Sequence, residues 1–437
     1  MGSFFKLSQV EKGGVMVTGS RIKYYRMKSE LTQEELCRGI CSPSYLSKVE
    51  NNNMEPSDEI LRLLCERMGI SPTVVVEEDI KLLEKKLDDW YDKMKRDCST
   101  IKLTYDEIAK QFHHIQNPYL SSKYELFQIK YFLITNQYGT ILQHIKELDR
   151  FQAFLSTELL FYYHYFVGCA YYYMNKLTES EQHLNLSLQK LQLIPKNKDL
   201  FQFELADVYY HLSLCHGKLC HTHRTRDFAF KSLEIVDKLL DYKKQIKLYI
   251  VLGINEGRIK NFKNSLDYYE RALKIAKLSH LHHYLGNIHH NIGYLYSLQG
   301  RATDAIRYYL ESLHYTPTEK VESLISTYYC LAKEYKRLNQ PENMHKMINK
   351  GMDLLKNYPF QDYEYHYKML YLTERDDLSS ERNFIKHEVI PYFREKQQWN
   401  YVVEYAEILA RHYEENILYK EASKYYKTAF LAQQKIQ

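Results

Sequence analysis

The stretch LTQEELCRGICSPSYLSKVE, from Leu31 to Glu50, contains two short amphipathic segments separated by a turn. Thr32 followed by Glu35 is the pattern of a capping box, in which a hydroxyl and a carboxylate pair with the free amides at a helix start. Ser42 offers a second N-cap, and Pro43 takes the first helical position, where its missing N–H costs nothing. The stretch therefore predicts two short helices joined by a tight turn.

The segments on either side, SRIKYYRMKSE and EPSDEILRLLCERMGI, also carry apolar residues at helical spacing. Two short helices braced by their neighbours form a helix-turn-helix, whose second helix fits the major groove of DNA. Residues 18–72 contain 8 Lys and Arg and 8 Asp and Glu, so this domain is neutral overall. Phosphate contacts would thus depend on a local basic cluster in its first helix. That cluster is Arg21, Lys23, Arg26 and Lys28.

Residues 18–72 resemble the helix-turn-helix domains of the phage-repressor family. The matches are Leu31-Thr32-Gln33-Glu34-Glu35-Leu36, Ser44-x-Leu46-Ser47-x-Val49-Glu50 and Pro56-Ser57. The turn departs from that family because Ile-Cys-Ser-x-Ser replaces the glycine usual there. This turn resembles the peptide-pheromone regulators of Firmicutes, the group that includes Rap, Rgg, PlcR, PrgX, ComR and NprR.

The resemblance implies a set of DNA contacts, with Gln33 on a phosphate at the start of its helix. For Tyr45 the alternative is packing on its own helix, and for Ser42 it is capping alone. Neither serine nor tyrosine forms a bidentate pair with a base, so we expect DNA shape to contribute to specificity. The predicted DNA-binding residues are Arg21, Gln33, Ser42, Ser44, Tyr45 and Lys48.

After Pro72 the sequence changes to long helical patterns rich in Tyr, Leu, His and Lys. Small residues recur in pairs 19 positions apart, in several cases with an aromatic residue three positions before the second one. Small residues let paired helices approach closely, and the aromatic ring would fill the seam with the next unit. This is the tetratricopeptide pattern. The pairs are Gly168/Ser187, Gly253/Ala272, Gly293/Ser312, Ala332/Gly351 and Ala410/Ala429, with Tyr269, Tyr309 and Tyr426 as the aromatics.

The sequence thus predicts an all-α protein, a helix-turn-helix domain followed by a right-handed tetratricopeptide superhelix. About nine units would fill residues 81–437, after a flexible extension over 1–17 and a linker over 73–80. HEAT repeats share the period but lack the small–aromatic–small signature. Residues 1–17 could instead lie upstream of a start at Met16. The predicted unit starts are near 81, 121, 161, 206, 246, 286, 325, 364 and 403.

Stacked units leave a groove lined by the first helix of each, and an aromatic-rich groove suits an extended peptide. Asparagine can pair with a peptide backbone as donor and acceptor. Receptors of the resembled group clamp the peptide backbone with asparagines on successive first helices, and HHNIGYLY resembles that motif. The alternative for each residue is a polar helix surface. The implied peptide-binding residues are Asn255, Arg258, Asn287, Asn291 and Tyr294.

The chain lacks a glycine-rich phosphate loop, a nucleophile elbow and a recognisable acid pair, so we expect no enzyme. The segment HLSLCHGKLCHTH has no zinc-ligand spacing, and we expect neither a metal nor another cofactor. No apolar run reaches the roughly 18 residues of a membrane span, and the start lacks a signal-peptide core. We expect a cytoplasmic protein with reduced thiols and no membrane partner.

These features predict a quorum-sensing transcription regulator that binds double-stranded DNA and a short, reimported signalling peptide. One helix-turn-helix reads one half-site, so we expect a homo-oligomer, a dimer or a tetramer, on a two-fold operator. Nine units resemble the NprR branch of the group more than PlcR or Rgg. That resemblance implies an alternative role, in which the peptide-free repeats sequester a response regulator of the sporulation phosphorelay.

Overall fold

The structure is a computed structural model that describes residues 18–71, 77–96, 100–112, 115, 117–194, 198–375 and 378–436. All regular secondary structure in these ranges is helical, which confirms the all-α prediction. None of the helices in these ranges is both long and apolar enough to cross a membrane. The predicted extension over 1–17 and linker residues 73–76 lie outside the described residues. The chain divides into two compact units, Met1–Cys215 and His216–Gln437.

The N-terminal domain has the predicted helix-turn-helix and its caps. The Glu35 N–H donates to Thr32 Oγ1 at 3.1 Å, and the Thr32 N–H donates to Glu35 Oε2 at 2.7 Å, which closes the capping box. The Tyr45 N–H donates to Ser42 Oγ at 3.2 Å, with Pro43 in the first turn. Its four helices are α1 (Thr18–Lys28), α2 (Gln33–Cys37), α3 (Pro43–Glu50) and α4 (Asp58–Met68).

The turn between α2 and α3 corrects one expectation. Gly39 has a φ of 73°, the left-handed conformation that glycine adopts without steric cost. The Ile40 and Cys41 amides then donate to the Cys37 carbonyl at 2.8 and 3.0 Å. A glycine therefore does end α2, immediately before the Ile-Cys-Ser-x-Ser segment that lacks one.

The buried carboxylate of Glu50 joins α1, α2 and α3. Nε and Nη2 of Arg26 donate to its two oxygens at 2.6 and 2.9 Å, and Gln33 Nε2 donates to Oε2 at 2.7 Å. Only 3% of Glu50 is exposed. Arg26 also donates to the Leu31 carbonyl at 2.8 Å. A bidentate arginine–carboxylate pair has a fixed geometry, so this network sets the angles between the three helices.

The rest of the first unit consists of helix pairs, and helix α11 continues across the boundary to the second unit. Helix α5 begins at Glu77, within the predicted linker. The helices are α5 (Glu77–Arg96), α6 (Ile101–Phe112), α7 (Pro118–Ile134), α8 (Tyr138–Phe151), α9 (Thr157–Tyr173), α10 (Leu177–Gln192) and α11 (Gln202–Lys218). A 3₁₀ turn, Gln152–Phe154, follows α8.

The second unit continues the pairs to the end of the described chain. Its helices are α12 (Thr222–Leu239), α13 (Tyr242–Arg258), α14 (Phe262–Leu278), α15 (Leu285–Leu298), α16 (Ala302–Tyr315), α17 (Val321–Arg337), α18 (Pro341–Asn357), α19 (Gln361–Arg375), α20 (Leu378–Phe384), α21 (Ile390–Glu395), α22 (Trp399–Glu415) and α23 (Tyr419–Gln433). A π-helical turn joins α20 to α21, so the two serve as one second helix. Each first helix begins one to four residues before a predicted unit start. The first helices are α5, α7, α9, α11, α13, α15, α17, α19 and α22.

Glycine–tyrosine contacts hold the pairs of the second unit together. A Cβ on Gly253 would lie 2.5 Å from Cε1 of Tyr269, and one on Gly293 would lie 2.8 Å from Cδ1 of Tyr309. The two rings are 3% and 1% exposed. Each glycine thus accommodates the ring of its own pair, and Tyr309 also reaches Cys330 of the next pair.

The last pair differs from the prediction by one position. Tyr426, predicted to fill a seam, is 38% exposed and its hydroxyl donates to Glu414 at 2.6 Å. The neighbouring Tyr425 is 5% exposed instead, with its ring stacked on Tyr413 at 5.6 Å. The reason is the helical phase of α23, which turns Tyr425 toward α22.

The Glu50 network generates a stability prediction. Glu50→Ala leaves the Arg26 guanidinium, whose side chain is 13% exposed, without its carboxylate. We expect the local free energy of unfolding of α1–α3 to fall by about 3 kcal/mol, the lower end for a broken buried ion pair. Amide hydrogen exchange of these helices in the full chain measures this change.

The control is Glu66→Ala, which breaks the Arg62–Glu66 pair, 2.7 Å apart with side chains 55% and 57% exposed. An exposed pair contributes about 0–1 kcal/mol, so exchange should change little. Equal changes in the two variants would contradict a special role of Glu50.

Candidate functional site

Three of the predicted DNA contacts lie exposed at α3. Ser42, Ser44 and Lys48 are all solvent exposed. Ser42 Oγ caps the helix and lies 3.0 Å from Ser44 Oγ, so capping and exposure coexist at this residue. Tyr45 is half-buried and packs against the domain core. The open face of α3 is therefore polar, with one cation.

The other two predicted DNA contacts are bound to groups of the protein. Arg21 Nη2 donates to the Ser71 carbonyl at 3.0 Å, and its guanidinium lies 5.9 Å from the centre of the Tyr25 ring. The Gln33 amide donates to Glu50, which turns one of its two N–H groups inward. Neither residue is an unengaged phosphate ligand, although each keeps further donors.

The predicted basic cluster of α1 does not form one outward patch. Arg26 is paired with Glu50, and Lys28 Nζ lies 3.2 Å from Ser121 Oγ of α7. Two other arginines near α2 were not predicted from the sequence. Arg38 is exposed where α2 ends, and Arg67 Nη1 donates to the Leu36 and Arg38 carbonyls at 2.9 and 2.5 Å. Arg67 thus caps α2.

In the second unit, α13, α15 and α17 each present a stripe of accessible residues in the same register. The members lie at positions i, i+4, i+7 and i+11, which fall on one face of a helix. The glycines and alanine that pack on the second helices, Gly253, Gly293 and Ala332, align the three stripes. This first-helix stripe consists of Lys247, Val251, Ile254 and Arg258 on α13, Asn287, Asn291, Tyr294 and Leu298 on α15, and Ser326, Cys330, Lys333 and Arg337 on α17.

Tyr294 lies at the centre of the stripe. Its side chain is 52% exposed, yet partial burial raises the pKa of its hydroxyl. Cys330, Arg258 and Glu404 also influence this pKa, so α13, α17 and α22 all lie near the Tyr294 hydroxyl. Lys333 Nζ lies 3.0 Å from Glu404 Oε1. A ring that is accessible but surrounded on several sides is typical of a recessed surface.

Two predicted asparagines meet on α15. Asn291 Nδ2 donates to the Asn287 carbonyl at 3.0 Å and to Asn287 Oδ1 at 2.9 Å. Asn287 is exposed and Asn291 is half-exposed. This bond leaves the Asn291 Oδ1 as an acceptor and the Asn287 amide as a donor, the two groups that an extended backbone needs.

Arg258 belongs to the stripe and Asn255 does not. Arg258 is exposed and its Nη1 donates to the Gly217 carbonyl. Asn255 is 2% exposed, and its Nδ2 donates to the Thr222 carbonyl at 3.3 Å. Successive residues of α13 are rotated by about 100° around the helix axis. Asn255 therefore follows Ile254 in the chain but faces the preceding loop. The geometry therefore separates Asn255 from the other four predicted residues.

A cavity of about 230 Å³ borders the stripe at Asn287 and Ser326. His290 lies in its wall, with Nδ1 2.9 Å from Thr327 Oγ1, and burial lowers its pKa to about 4. The imidazole is therefore neutral near pH 7 and can donate or accept a hydrogen bond. Sequence reasoning missed this cavity because its lining comes from three pairs. The lining also includes His283, Gly286, Ser312, Thr316, Lys320 and Tyr363.

One buried group in the first unit has metal-ligand chemistry. The ligand atoms of Cys169, Asp207 and His211 lie within 4.8 Å of one another. Lys130 Nζ, however, lies 3.4 Å from Asp207 Oδ2, and the Tyr165 hydroxyl donates to the same carboxylate. The ammonium already supplies the positive charge, so we interpret the group as an internal ion pair. That the chain needs no metal stays a prediction.

Two family matches cover the two kinds of structure. Residues 22–75 match the family described as helix-turn-helix, which spans α1–α4. Residues 244–314 match the family described as tetratricopeptide repeat, a range that includes two of the three helices of the stripe, α13 and α15.

Similar proteins cover most of the chain. NprR of B. thuringiensis, in its apo form, superposes with a TM-score of 0.68 at 18% identity, covering 82% of this chain and 100% of that chain. NprR in complex with its cognate peptide NprX gives 0.61 at 18% identity, covering 80% and 98%. Response regulator aspartate phosphatase H of Bacillus subtilis is 19% identical over 368 residues, 80% of this chain and 94% of its own.

A further relative is similar in sequence at a higher identity. The transcriptional activator NprA of Geobacillus stearothermophilus is 30% identical over 405 residues, 90% of this chain and 97% of its own length. That span includes both the helix-turn-helix and the repeats. The chain belongs to the family of this transcriptional activator.

Proposed function

We propose that the protein is a transcription regulator that binds duplex DNA through α3 and a short peptide along the first-helix stripe. The observation that carries the proposal is the common register of accessible side chains on α13, α15 and α17. NprR, similar in fold, has been solved with a peptide, and NprA is an activator by name. These likenesses support the same pair of ligands here.

DNA binding follows from the polar face of α3. Lys48 supplies a cation, and the hydroxyls of Ser42 and Ser44 supply hydrogen bonds to phosphates or base edges. A recognition helix with one cation and no bidentate side chain makes weak contacts alone. A homodimer on two half-sites increases the affinity without any new contact.

Peptide binding follows from the chemistry of the stripe. The Asn287–Asn291 pair matches a backbone N–H and C=O, and Tyr294 provides a rigid apolar surface beside it. Arg258 at one side of Tyr294 suits a carboxylate of the peptide. The Lys333–Glu404 pair can exchange partners with charged side chains of the peptide. A short, mixed-charge peptide with apolar side chains is the ligand that these groups favour.

For the peptide to control transcription, it must bind one arrangement of the protein more tightly than another. The second candidate function uses the same repeats without DNA. The likeness to response regulator aspartate phosphatase H supports a contact between peptide-free repeats and a response regulator. In that role the peptide would release the partner.

Lys48→Ala tests the DNA contact. Loss of one phosphate contact should weaken binding to all sequences and reduce the slope of log affinity against log salt by about 1. Fluorescence anisotropy with a duplex selected from a random library by the full-length protein measures both quantities.

Lys263→Ala is the control, because Lys263 is an exposed lysine on α14 of the second unit. An unchanged salt slope in Lys48→Ala would remove this residue from the interface.

Asn291→Ala tests the peptide contact. We expect the peptide affinity to fall by about 1–3 kcal/mol, since a backbone amide of the bound peptide would lose its acceptor. Isothermal titration calorimetry should use synthetic peptides from the end of the product of a small open reading frame downstream of the gene.

Asn264→Ala is the matched control, an exposed asparagine on the second helix α14. Equal affinities of Asn291→Ala and the unchanged protein would place the peptide elsewhere.

The second function is tested by capture of a purified sporulation response regulator on the immobilised protein. Binding without peptide and release with it would support the sequestering role. Absence of binding in both states, at concentrations where the peptide binds, would reject it.

A further inference from the structure

The DNA-binding domain is packed against the repeats of its own unit. Tyr24 of α1 is 3% exposed, and its ring centre lies 4.9 Å from that of Phe151 and 5.7 Å from that of Phe154. Phe151 ends α8 and Phe154 lies in the 3₁₀ turn that follows. Both rings extend the same apolar cluster that forms the core of the helix-turn-helix. The domain core therefore continues without a break into the repeat domain.

Polar contacts surround these rings. Lys28 Nζ lies 3.2 Å from Ser121 Oγ of α7, and Arg150 Nη2 lies 3.2 Å from Glu30 Oε1. The Glu30–Arg150 pair is exposed, at 74% and 46%. An apolar centre with a polar, solvated rim is the anatomy of a specific interface. We name Tyr24, Phe151, Phe154, Glu30 and Arg150 the dock.

The dock uses a face of the domain other than the one that reads DNA. The dock residues that the DNA-binding domain contributes lie in α1 and in the turn before α2. Ser42, Ser44 and Lys48 of α3 are solvent exposed in the same structure. The dock therefore does not cover the recognition helix and holds it outward.

We propose that the dock determines which spacing of operator half-sites the protein accepts, by fixing the helix-turn-helix on the first repeats. This rests on the proposed function, because it requires a dimer with two DNA-binding domains. Half-sites in a two-fold operator lie about 10–10.5 base pairs apart or at multiples of that distance. Two rigidly held domains reach only half-sites at the matching separation and rotation. The affinity gained from linking the domains is lost when the geometry prevents both from binding at once. Domains released from the dock would tolerate other spacings.

The roles within the dock differ. Phe154 is half-buried and contributes from a turn, so its truncation leaves the cores on both sides in place. Arg150 is exposed, so Arg150→Glu introduces repulsion toward Glu30 without burying a charge. The variant Phe154→Ala with Arg150→Glu therefore opens the dock at modest cost to folding. A separate variant combines Glu30→Arg with Arg150→Glu and keeps Phe154. It restores an opposite-charge pair in which the two charges have exchanged places.

The experiment compares full-length proteins on three duplexes. The first is an operator selected from a random library by the unchanged protein, the second has five base pairs inserted between its half-sites, and the third has one half-site. Five base pairs rotate one half-site by about half a helical turn. Affinity is measured by fluorescence anisotropy, with Phe230→Ala, a 41% exposed ring on α12, as the control variant.

We expect the unchanged protein and Phe230→Ala to lose on the order of 10²-fold in affinity for the second duplex, the lower end of the gain from bivalent binding. The Phe154→Ala, Arg150→Glu variant should lose less than about threefold there, with single half-site affinity unchanged, because its released domains can reach both half-sites at either spacing. The charge-swapped pair should recover the selectivity that Arg150→Glu loses.

Three results would overturn the inference: equal selectivity in the dock variant, no selectivity in the unchanged protein, or a loss of single half-site affinity in the variant. Failure of the unchanged protein to select or bind any duplex would instead reject the proposed function.

Discussion

A tyrosine ring packed against a glycine is the contact on which the functional surface of the repeats depends. Tyr269 on Gly253 and Tyr309 on Gly293 leave no room for a Cβ, so each first helix has one rotational setting against its second helix. The two pairs share this setting, and it turns the same helix positions of α13 and α15 outward. A side chain at Gly293 would force the helices apart and rotate Asn291 and Tyr294 away from their neighbours.

The sequence predicted the close approach of paired helices at these small residues, because their spacing is local. It placed the aromatic ring in the seam with the next unit, whereas Tyr269 and Tyr309 pack on the glycine of their own pair. Small residues 19 positions apart, the two helix caps and the helix-turn-helix were predicted from spacing, whereas Asn287, Asn291 and Tyr294 were predicted from the family resemblance. Contacts between distant segments were not readable. Asn255 and Arg258 are three positions apart, yet one is buried against the loop at Thr222 and the other is exposed. The basic residues of α1 were misjudged for the same reason, since the partners of Arg26 and Lys28 are far along the chain.

The DNA-binding domain shows how few charges remain available once internal pairs are counted. Glu50 engages Arg26 and Gln33, Arg67 caps α2, and Arg21 is bonded to Ser71. Affinity for DNA would therefore come from two DNA-binding domains acting together, each with few contacts. The arrangement of the two domains would be as important as the contacts of each. The apolar continuity between this domain and the first repeats gives such an arrangement a physical basis.

Photo-crosslinking would show most directly whether the first-helix stripe binds the peptide. A cognate peptide carrying one photoreactive phenylalanine analogue would be irradiated with the full-length protein and the adducts located by mass spectrometry. We expect adducts on α15 and α17, at or beside Tyr294, Cys330 and Lys333. Adducts confined to the second helices α14 and α16 would contradict it.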